Sequence, residues 1–260
     1  VHPNSSILSV AETPGQCYNL SHQRAQREVH VILYILWDAG GTLFDTYPSK
    51  VQAIQRAAAE LGAQVSAEQI LAWVKQSTHY GLEKIATEYE LMLSALEARY
   101  KRIYARIGPE EQPPFPGVEK LCRYICEIGG ANFIATHRGR ESLTMLLEGH
   151  EMSRYFVACI TKEDPYARKP EPASLKALLA DYDLPRNEVL TIGDRELDIE
   201  AGHKARLRTC FFGEQPPEIE TAADIVIASF ETLYERIKAE NQRAGVEHPV
   251  PPEQRRCGTI

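Results

Sequence analysis

Short runs of apolar residues recur along most of the chain, separated by longer amphipathic segments. Near-continuous apolar and β-branched runs predict buried strands, and they occur at residues 29–37, 132–136, 155–160, 188–194, 208–212 and 224–229. Helical segments are predicted between most of them, at 117–128, 139–149, 172–182 and 196–205. Strands that alternate with helices predict an α/β fold with a parallel sheet covered on both faces.

The segment 47–112 breaks this alternation because it contains no strand signal. A first helix is predicted from an N-cap at Ser49, and a second from a capping box formed by Ser66 and Gln69. A third helix is predicted over 80–107. We therefore predict an all-helical cap domain inserted after the first strand, over the carboxyl end of the sheet, where open α/β sheets bind ligands.

The two ends of the chain differ from the centre in composition. Residues 1–28 are polar without a clear period, and residues 241–260 are rich in proline and charge. We expect a flexible N-terminal arm and a flexible C-terminal tail. The core domain is then predicted at 29–46 and 113–240, and no signal peptide is expected.

Charge and cysteine content narrow the class of function. The net charge is -7 and the pI about 5.7, which disfavours nucleic acid and anionic membranes as partners. No apolar run reaches the ~18 residues of a membrane span. The six cysteines form no CxxC pair and are predicted to be core thiols in a reducing cytoplasm. We expect a cytoplasmic monomer or homodimer.

Polar side chains that could take part in catalysis follow the predicted strands. Asp38 ends the first strand and Thr136 the second, Lys169 follows the third, and Asp194 and Asp198 follow the fourth. Parallel strands place these residues at one edge of the sheet. A nucleophilic carboxylate, a hydroxyl, a fixed cation and two further carboxylates are suited to phosphoryl transfer.

Each of these residues has a predicted role in that chemistry. Asp38 attacks phosphorus and forms an acyl phosphate. Mg²⁺ held by Asp38 and Asp194 screens carboxylate from phosphate, and Asp198 orients its waters. Lys169 keeps Asp38 ionised, and Thr136 binds phosphoryl oxygens.

The loop after Asp38 contributes through its main chain. Gly40, Gly41 and Thr42 follow the nucleophile directly. Glycines let main-chain N–H groups approach a phosphate that a Cβ would hinder. We predict these three residues as phosphate-binding.

These motifs together resemble a known family. Four segments resemble the motifs of the haloacid dehalogenase superfamily in the expected order: Asp38-x-x-Gly41-Thr42-Leu43, Thr136, Lys169-Pro170 and Gly193-Asp194-x-x-x-Asp198. The resemblance covers about residues 31–240 and is to the phosphoglycolate-phosphatase-like branch with a helical cap. Trp37-Asp38, Gly40-Gly41-Thr42 and Thr136-His137 are similar to uncharacterised bacterial members of it. The resemblance implies a Rossmann-like core and a Mg²⁺-dependent phosphatase acting on a small phosphorylated metabolite.

One position departs from that family. The resemblance implies a second aspartate, which protonates the leaving oxygen and later activates water, where this chain has Gly40. The Gly40 carbonyl remains a metal ligand by the same resemblance. A positioned acid or base contributes typically about 10²–10⁴-fold, so slow breakdown of the phosphoenzyme is expected unless His137 or a cap residue replaces the acid.

Two alternatives follow from Gly40. The first is a catalytically weak phosphate-binding or regulatory protein. The second is a phosphonate hydrolase, which by resemblance uses a cap lysine as a Schiff base; Lys75 and Lys84 are the candidates. Because Lys75 lies in an apolar context beside Trp73, we also predict it as a substrate contact.

Overall fold

A six-stranded parallel sheet forms the centre of the computed structural model, which describes residues 31–213, 221–246, 250–251 and 257–258. The strands are β1 (Tyr34–Trp37), β2 (Ala131–Ala135), β3 (Phe156–Ile160), β4 (Val189–Gly193), β5 (Arg208–Phe212) and β6 (Ile225–Ile227). Their order is β3-β2-β1-β4-β5-β6. The strand order therefore reverses between β1 and β4, which is where such sheets bind ligands.

Nine α-helices are assigned in the described residues. They are α1 (Tyr47–Ala59), α2 (Ala67–Gln76), α3 (Thr78–Glu88), α4 (Leu93–Tyr104), α5 (Val118–Glu127), α6 (Arg140–Gly149), α7 (Ala173–Asp181), α8 (Glu196–Lys204) and α9 (Phe230–Arg243). Apolar residues of α5, α6 and α9 form one core with the sheet, and those of α7 and α8 form another. Both faces of the sheet are covered, which confirms the predicted α/β class.

The helices α1 to α4 share an apolar core of their own, as expected of an inserted cap. Their boundaries differ from the prediction in two places. The first helix begins at Tyr47 after an N-cap at Thr46, because Pro48 suits the first helical turn, and the predicted cap Ser49 is buried inside the helix. The predicted helix over 80–107 is broken at Glu90, whose φ is 53°.

The C-terminal part of the described chain contacts the core more than predicted. The helix α9 runs beyond the predicted start of the tail, and Asn241 on it is fully buried. Its side chain accepts a hydrogen bond from the Ile32 amide at 2.8 Å and donates one to the Ile32 carbonyl at 2.9 Å. The first residues of the tail are thus tied to the start of β1.

A disulfide corrects the prediction that the cysteines are thiols. Cys126 on α5 pairs with Cys257, with their Cα atoms 5.6 Å apart. Nearby, the Val250 amide donates to the Glu127 carbonyl at 2.7 Å. Cys122, Cys159 and Cys210 are free. The predicted N-terminal arm lies outside the described residues.

No helix in the described part of the chain is both long enough and apolar enough to cross a bilayer.

Candidate active site

The nucleophile predicted at the end of β1 is buried against a lysine. The Asp38 amide donates to the Ile192 carbonyl at 2.9 Å, which ties the end of β1 to β4. Lys169 Nζ lies 2.6 Å from Asp38 Oδ1 and 2.5 Å from Asp198 Oδ1, and it also donates to the Ala135 carbonyl at 2.9 Å. The three charged side chains are almost inaccessible to solvent. The structure therefore brings the first, third and fourth motifs together.

These contacts set the charge of Asp38. Burial alone would raise the pKa of Asp38, but the charges of Lys169 and Arg195 outweigh it and leave the pKa below its ordinary value. Burial likewise acts to lower the pKa of Lys169, while Asp198 and Asp38 raise it above its ordinary value. Asp38 is therefore ionised at neutral pH, as a nucleophile requires.

Asp194 directly follows β4. The negative charge of the neighbouring carboxylates Asp38 and Asp198 is not fully balanced at this position. Its Oδ1 accepts a hydrogen bond from the Thr42 hydroxyl at 3.2 Å, and its Oδ2 accepts one from the Tyr47 hydroxyl at 2.6 Å. Burial, followed by repulsion from Asp198 and Asp38, raises the pKa of Asp194 to about 6. An additional cation beside Asp194 would relieve this repulsion.

The donor set fits a magnesium ion that uses few protein ligands. Within the described residues, no three His, Cys, Asp or Glu side chains are arranged as a metal cage. Mg²⁺ commonly binds through one or two carboxylates and keeps several waters, so Asp38, Asp194 and the Gly40 carbonyl are sufficient candidates. Asp198 was also predicted at the metal, but its Oδ1 pairs with Lys169 and its Oδ2 accepts from the Arg195 amide at 3.2 Å. Asp198 therefore holds the Lys169 ammonium and the main chain at the start of α8, and its role in orienting metal-bound water stays a prediction.

Gly40 and Gly41, in the loop after Asp38, differ in the space that each leaves for a side chain. Gly41 has a φ of +92°, and a Cβ there would lie 2.4 Å from Asp194 Oδ2, so only glycine fits. A Cβ on Gly40 would lie 3.1 Å from Thr46 Oγ1 and 4.0 Å from Arg138 Nη1. A small side chain at position 40 therefore needs only a small shift of its neighbour.

Not every amide predicted to bind phosphate is available. The Gly41 amide donates to the Phe44 carbonyl at 2.9 Å, which corrects its predicted role. In the described part of the chain, no acceptor bonds the amides of Gly40 and Thr42. These two amides remain candidates for phosphoryl oxygens.

The second motif contributes a hydroxyl and an uncharged imidazole. Thr136 is buried at the end of β2, and its Oγ1 accepts a hydrogen bond from the Arg138 amide at 3.2 Å. His137 Nε2 is buried and has no partner among the residues described. Burial, followed by the charges of Lys169 and Arg195, lowers the pKa of His137 to about 4. At neutral pH His137 is therefore not a proton donor in its charged form.

A cavity of about 980 Å³ separates the sheet edge from the cap. Asp38, Thr136 and His137 line it from the core, and Lys50 and Tyr100 line it from the cap. The cavity therefore joins the predicted nucleophile to a space large enough for a small metabolite.

The predicted cap lysines do not line this cavity. Lys75 is exposed on α2, and Lys84 is exposed on α3 with its Nζ 5.4 Å from the Tyr80 ring centre. The structure therefore corrects Lys75 as a substrate contact. Lys50 on α1 lines the cavity instead, and burial, then repulsion from Arg195 and Arg138, lowers its pKa to about 8.

Four residues of the site were not predicted from the sequence: Tyr47, Lys50, Arg138 and Arg195. Each follows a predicted motif closely in sequence, since Arg138 comes two residues after Thr136 and Arg195 directly follows Asp194. Their closeness to the motifs in sequence could have identified them as site residues. Their contacts, however, depend on how the cap lies over the sheet.

Comparison with known proteins gives consistent results. The family of haloacid dehalogenase-like hydrolases matches residues 35–212. A phosphoglycolate phosphatase of Photobacterium profundum is 28% identical over 220 residues, which are 80% of this chain and 96% of that protein. The solved structure of a hydrolase from Streptococcus pneumoniae is 32% identical with a TM-score of 0.54, covering 68% of this chain and 91% of that one.

A further solved structure bears on the fold alone. A predicted phosphoglycolate phosphatase from Haemophilus somnus has a TM-score of 0.69 at 16% identity, covering 79% of this chain and 97% of that one. It therefore shares the overall fold of this chain.

Proposed function

Because the chain belongs to the family of haloacid dehalogenase-like hydrolases, we propose that it hydrolyses a small phosphomonoester through an aspartyl phosphate on Asp38. One observation carries the proposal: Asp38 is held ionised by Lys169 at 2.6 Å and lines the cavity beneath the cap. The enzyme class is phosphoric monoester hydrolase. Phosphoglycolate is the first substrate to test, because several relatives are named for it.

The first half-reaction follows from the contacts of Asp38. Lys169 occupies Oδ1, so Oδ2 attacks phosphorus while the bond from phosphorus to the leaving oxygen breaks. The leaving oxygen takes a proton and departs as the alcohol, and because position 40 carries no acid, solvent water or another group of the cavity supplies that proton. We expect the amides of Gly40 and Thr42 and the Thr136 hydroxyl to bind phosphoryl oxygens. A bound Mg²⁺ would supply charge neutralisation between the carboxylate and the phosphate.

Position 40 supplies no base for the second half-reaction. Water must attack the acyl phosphate and lose a proton, and no carboxylate projects from position 40. His137 is uncharged and has an unpaired Nε2, so it is the candidate acceptor of that proton. We expect breakdown of the phosphoenzyme to limit turnover.

The deciding experiment compares the native chain with Asp38→Asn. Hydrolysis of para-nitrophenyl phosphate and of a panel of phosphorylated metabolites is measured with and without Mg²⁺, and acid-quenched protein is analysed for phosphate bound to Asp38. Metal-dependent turnover and a phosphoenzyme, both lost in Asp38→Asn, are expected. The control Asp181→Asn, exposed at the end of α7, retains both. Binding of beryllium fluoride without any turnover would favour the regulatory alternative.

Lys50 gives the phosphonate hydrolase alternative a specific form. An amine with a pKa of about 8 is partly neutral near neutral pH, which a Schiff base requires. Borohydride reduction in the presence of a phosphonoaldehyde, followed by mass spectrometry, would identify a Lys50 adduct. An unmodified Lys50 would exclude this alternative.

A further inference from the structure

Lys50 lines the cavity beside the loop that follows the nucleophile. Thr46 is the N-cap of α1, and its Oγ1 lies 3.1 Å from the position that a Cβ on Gly40 would take. Residues four apart lie on the same face of a helix, and the Lys50 amide donates to the Thr46 carbonyl at 3.1 Å. Lys50 is half-buried and lines the same cavity as Gly40 and Asp38. The face of α1 that approaches Gly40 therefore also carries this amine.

The ring of Tyr47 holds the amine near the same loop. Lys50 Nζ lies 5.0 Å from the centre of this ring, which is within the range of a cation–π contact. Tyr47 Cε2 lies 2.6 Å from the position that a Cβ on Gly41 would take, and the Tyr47 hydroxyl donates to Asp194 Oδ2 at 2.6 Å. The amine is therefore separated from the loop of the proposed phosphoryl site by one aromatic ring.

Lys50 differs from two other lysines of the cavity in having no carboxylate partner. Lys101 Nζ lies 3.7 Å from Glu97 Oε2. Lys162 Nζ lies 3.6 Å from Glu163 Oε1. Among the residues that the structure describes, no carboxylate lies within ion-pair distance of Lys50 and no hydrogen-bond acceptor binds its Nζ. A ligand in the cavity can therefore accept a hydrogen bond from this amine.

The surroundings of Lys50 also suit it to proton transfer. Burial, then repulsion from Arg195 and Arg138, lowers its pKa to about 8. The charges of Asp194 and Asp38 act in the opposite direction and are outweighed. A group whose pKa lies near the working pH is effective both as an acid and as a base.

We propose that Lys50 is the acid and the base of the reaction, in place of a side chain at position 40. The inference rests on the proposed function and adds the group that moves its protons. In the first step Asp38 Oδ2 bonds to phosphorus, the bond from phosphorus to the leaving oxygen breaks, and the Lys50 ammonium gives that oxygen a proton. In the second step water bonds to phosphorus, the bond to Asp38 Oδ2 breaks, and the neutral amine takes a proton from the water. The ammonium is restored when phosphate is released, so the protons balance.

His137 is less suited than Lys50 to this double role. Its pKa of about 4 leaves the imidazole uncharged at neutral pH, so it has no imidazolium proton for the leaving oxygen. The amine of Lys50, once it has given up its proton, is also the stronger base of the two. One group that loses a proton in the first step and regains it in the second needs no transfer between residues.

Two esters of similar shape separate proton donation from charge. Phenyl phosphate releases a phenol, with a pKa of about 10 as for tyrosine, and needs little help from an acid. Benzyl phosphate releases an alcohol, whose pKa is close to the value of about 15.7 for water. With Mg²⁺ present, Lys50→Met should lower kcat/KM for benzyl phosphate by about 10²-fold or more, and that for phenyl phosphate only severalfold. The ratio of the two values does not depend on the fraction of folded protein.

Two further variants serve as controls for this ratio. Lys50→Arg keeps the positive charge, but arginine does not release its proton in proteins, so the ratio should stay as low as in Lys50→Met. A ratio restored by arginine would mean that Lys50 acts by its charge and would overturn the inference. Lys75→Met removes an exposed lysine of α2 and should keep the native ratio.

The pH dependence of the native chain gives an independent test. Cleavage of an alkyl ester requires the protonated amine, so kcat/KM for benzyl phosphate should fall as pH rises through about 8. This fall should be absent in Lys50→Met. The same fall in that variant would assign it to another group and overturn the role of Lys50.

The outcomes separate this inference from the proposed function. Equal falls in kcat/KM for the two esters in Lys50→Met would overturn the acid and leave Lys50 as a cation that binds phosphate. The phosphoenzyme on Asp38 would still decide the proposed function in that case. A native chain that hydrolyses neither ester and forms no phosphoenzyme would overturn both.

Discussion

Replacing Lys169 with methionine removes the positive charge that lies between two buried carboxylates. In the native chain Lys169 Nζ is 2.6 Å from Asp38 Oδ1 and 2.5 Å from Asp198 Oδ1, and all three residues are at most 6% exposed. Methionine has a similar length and no charge. The variant therefore leaves Asp38 and Asp198 facing each other without their shared partner.

The expected loss in the free energy of unfolding of Lys169→Met is large relative to the total stability of a domain. Removing one partner of a buried ion pair destabilises by about 3–5 kcal/mol, against a total of about 5–15 kcal/mol for unfolding. The cost depends on pH. Burial already raises the pKa of Asp198 in the native chain, and without Lys169 it rises further, while the pKa of Asp38 changes from lowered to raised. The folded variant therefore binds more protons than the unfolded chain. Its stability then falls as pH rises, and the deficit is larger at pH 7 than at pH 4.

Urea unfolding at both pH values measures this deficit. A Trp73→Phe background leaves Trp37, which is fully buried in the core, as the fluorescent reporter of the core domain. The control Lys176→Met changes an exposed lysine of α7 and should be nearly neutral. Adding Asp198→Asn to Lys169→Met removes one of the repelling charges and should restore part of the loss.

A small loss of stability that does not change with pH would contradict the predicted role of Lys169. A Lys169→Met variant that loses less than about 1 kcal/mol at pH 7, with no dependence on pH, would lie below the range for a buried pair. The charges of Asp38 and Asp198 would then be balanced by other groups.

Three further predictions concern Asp194, Asn241 and Gly41. In metal-free buffer, Asp194→Asn should be more stable than the native chain at pH 7 by up to about 3 kcal/mol. The pKa of Asp194 is about 6 in the folded chain and 3.8 when unfolded, so ionisation of Asp194 destabilises the native fold as pH rises. Urea unfolding should show no gain in stability below pH 4. Asn241→Ala leaves two Ile32 backbone groups unpaired and should cost about 2–4 kcal/mol by thermal unfolding. Gly41→Ala forces a Cβ to 2.4 Å from Asp194 Oδ2 and should abolish phosphoenzyme formation, whereas retained activity would contradict the assigned loop geometry.

Local patterns were sufficient to predict most of the core. The strand predicted at 208–212 is β5, and the helices predicted at 117–128 and 139–149 are α5 and α6 within a residue. These elements have an apolar repeat that matches their own period. The helix α9 was not predicted, although Phe230, Leu233 and Ile237 have helical spacing, because charged residues dominate that stretch.

The choice of cap lysine shows where local pattern was insufficient. Lys75 directly follows buried Val74, and one residue along a helix turns the side chain by about 100°. Lys75 therefore points to solvent despite its apolar neighbours. Which lysine lines the cavity depends on how α1 and α2 pack.

The sequence alone determined the alternation of elements, the family resemblance, the placement of Asp38, Thr136 and Asp194 at strand ends and that of Lys169 in the loop after β3, because these depend on residues close in the chain. The tertiary structure decided which charges meet. Lys169 is 131 residues from Asp38, and Arg138 is brought close to Gly40 only where the loop after β2 lies beside the loop after β1. Electrostatic and hydrogen-bond energies depend on distance and burial, which no spacing in the sequence specifies. The positive charge of Arg138 beside Gly40 therefore became visible only in the folded chain.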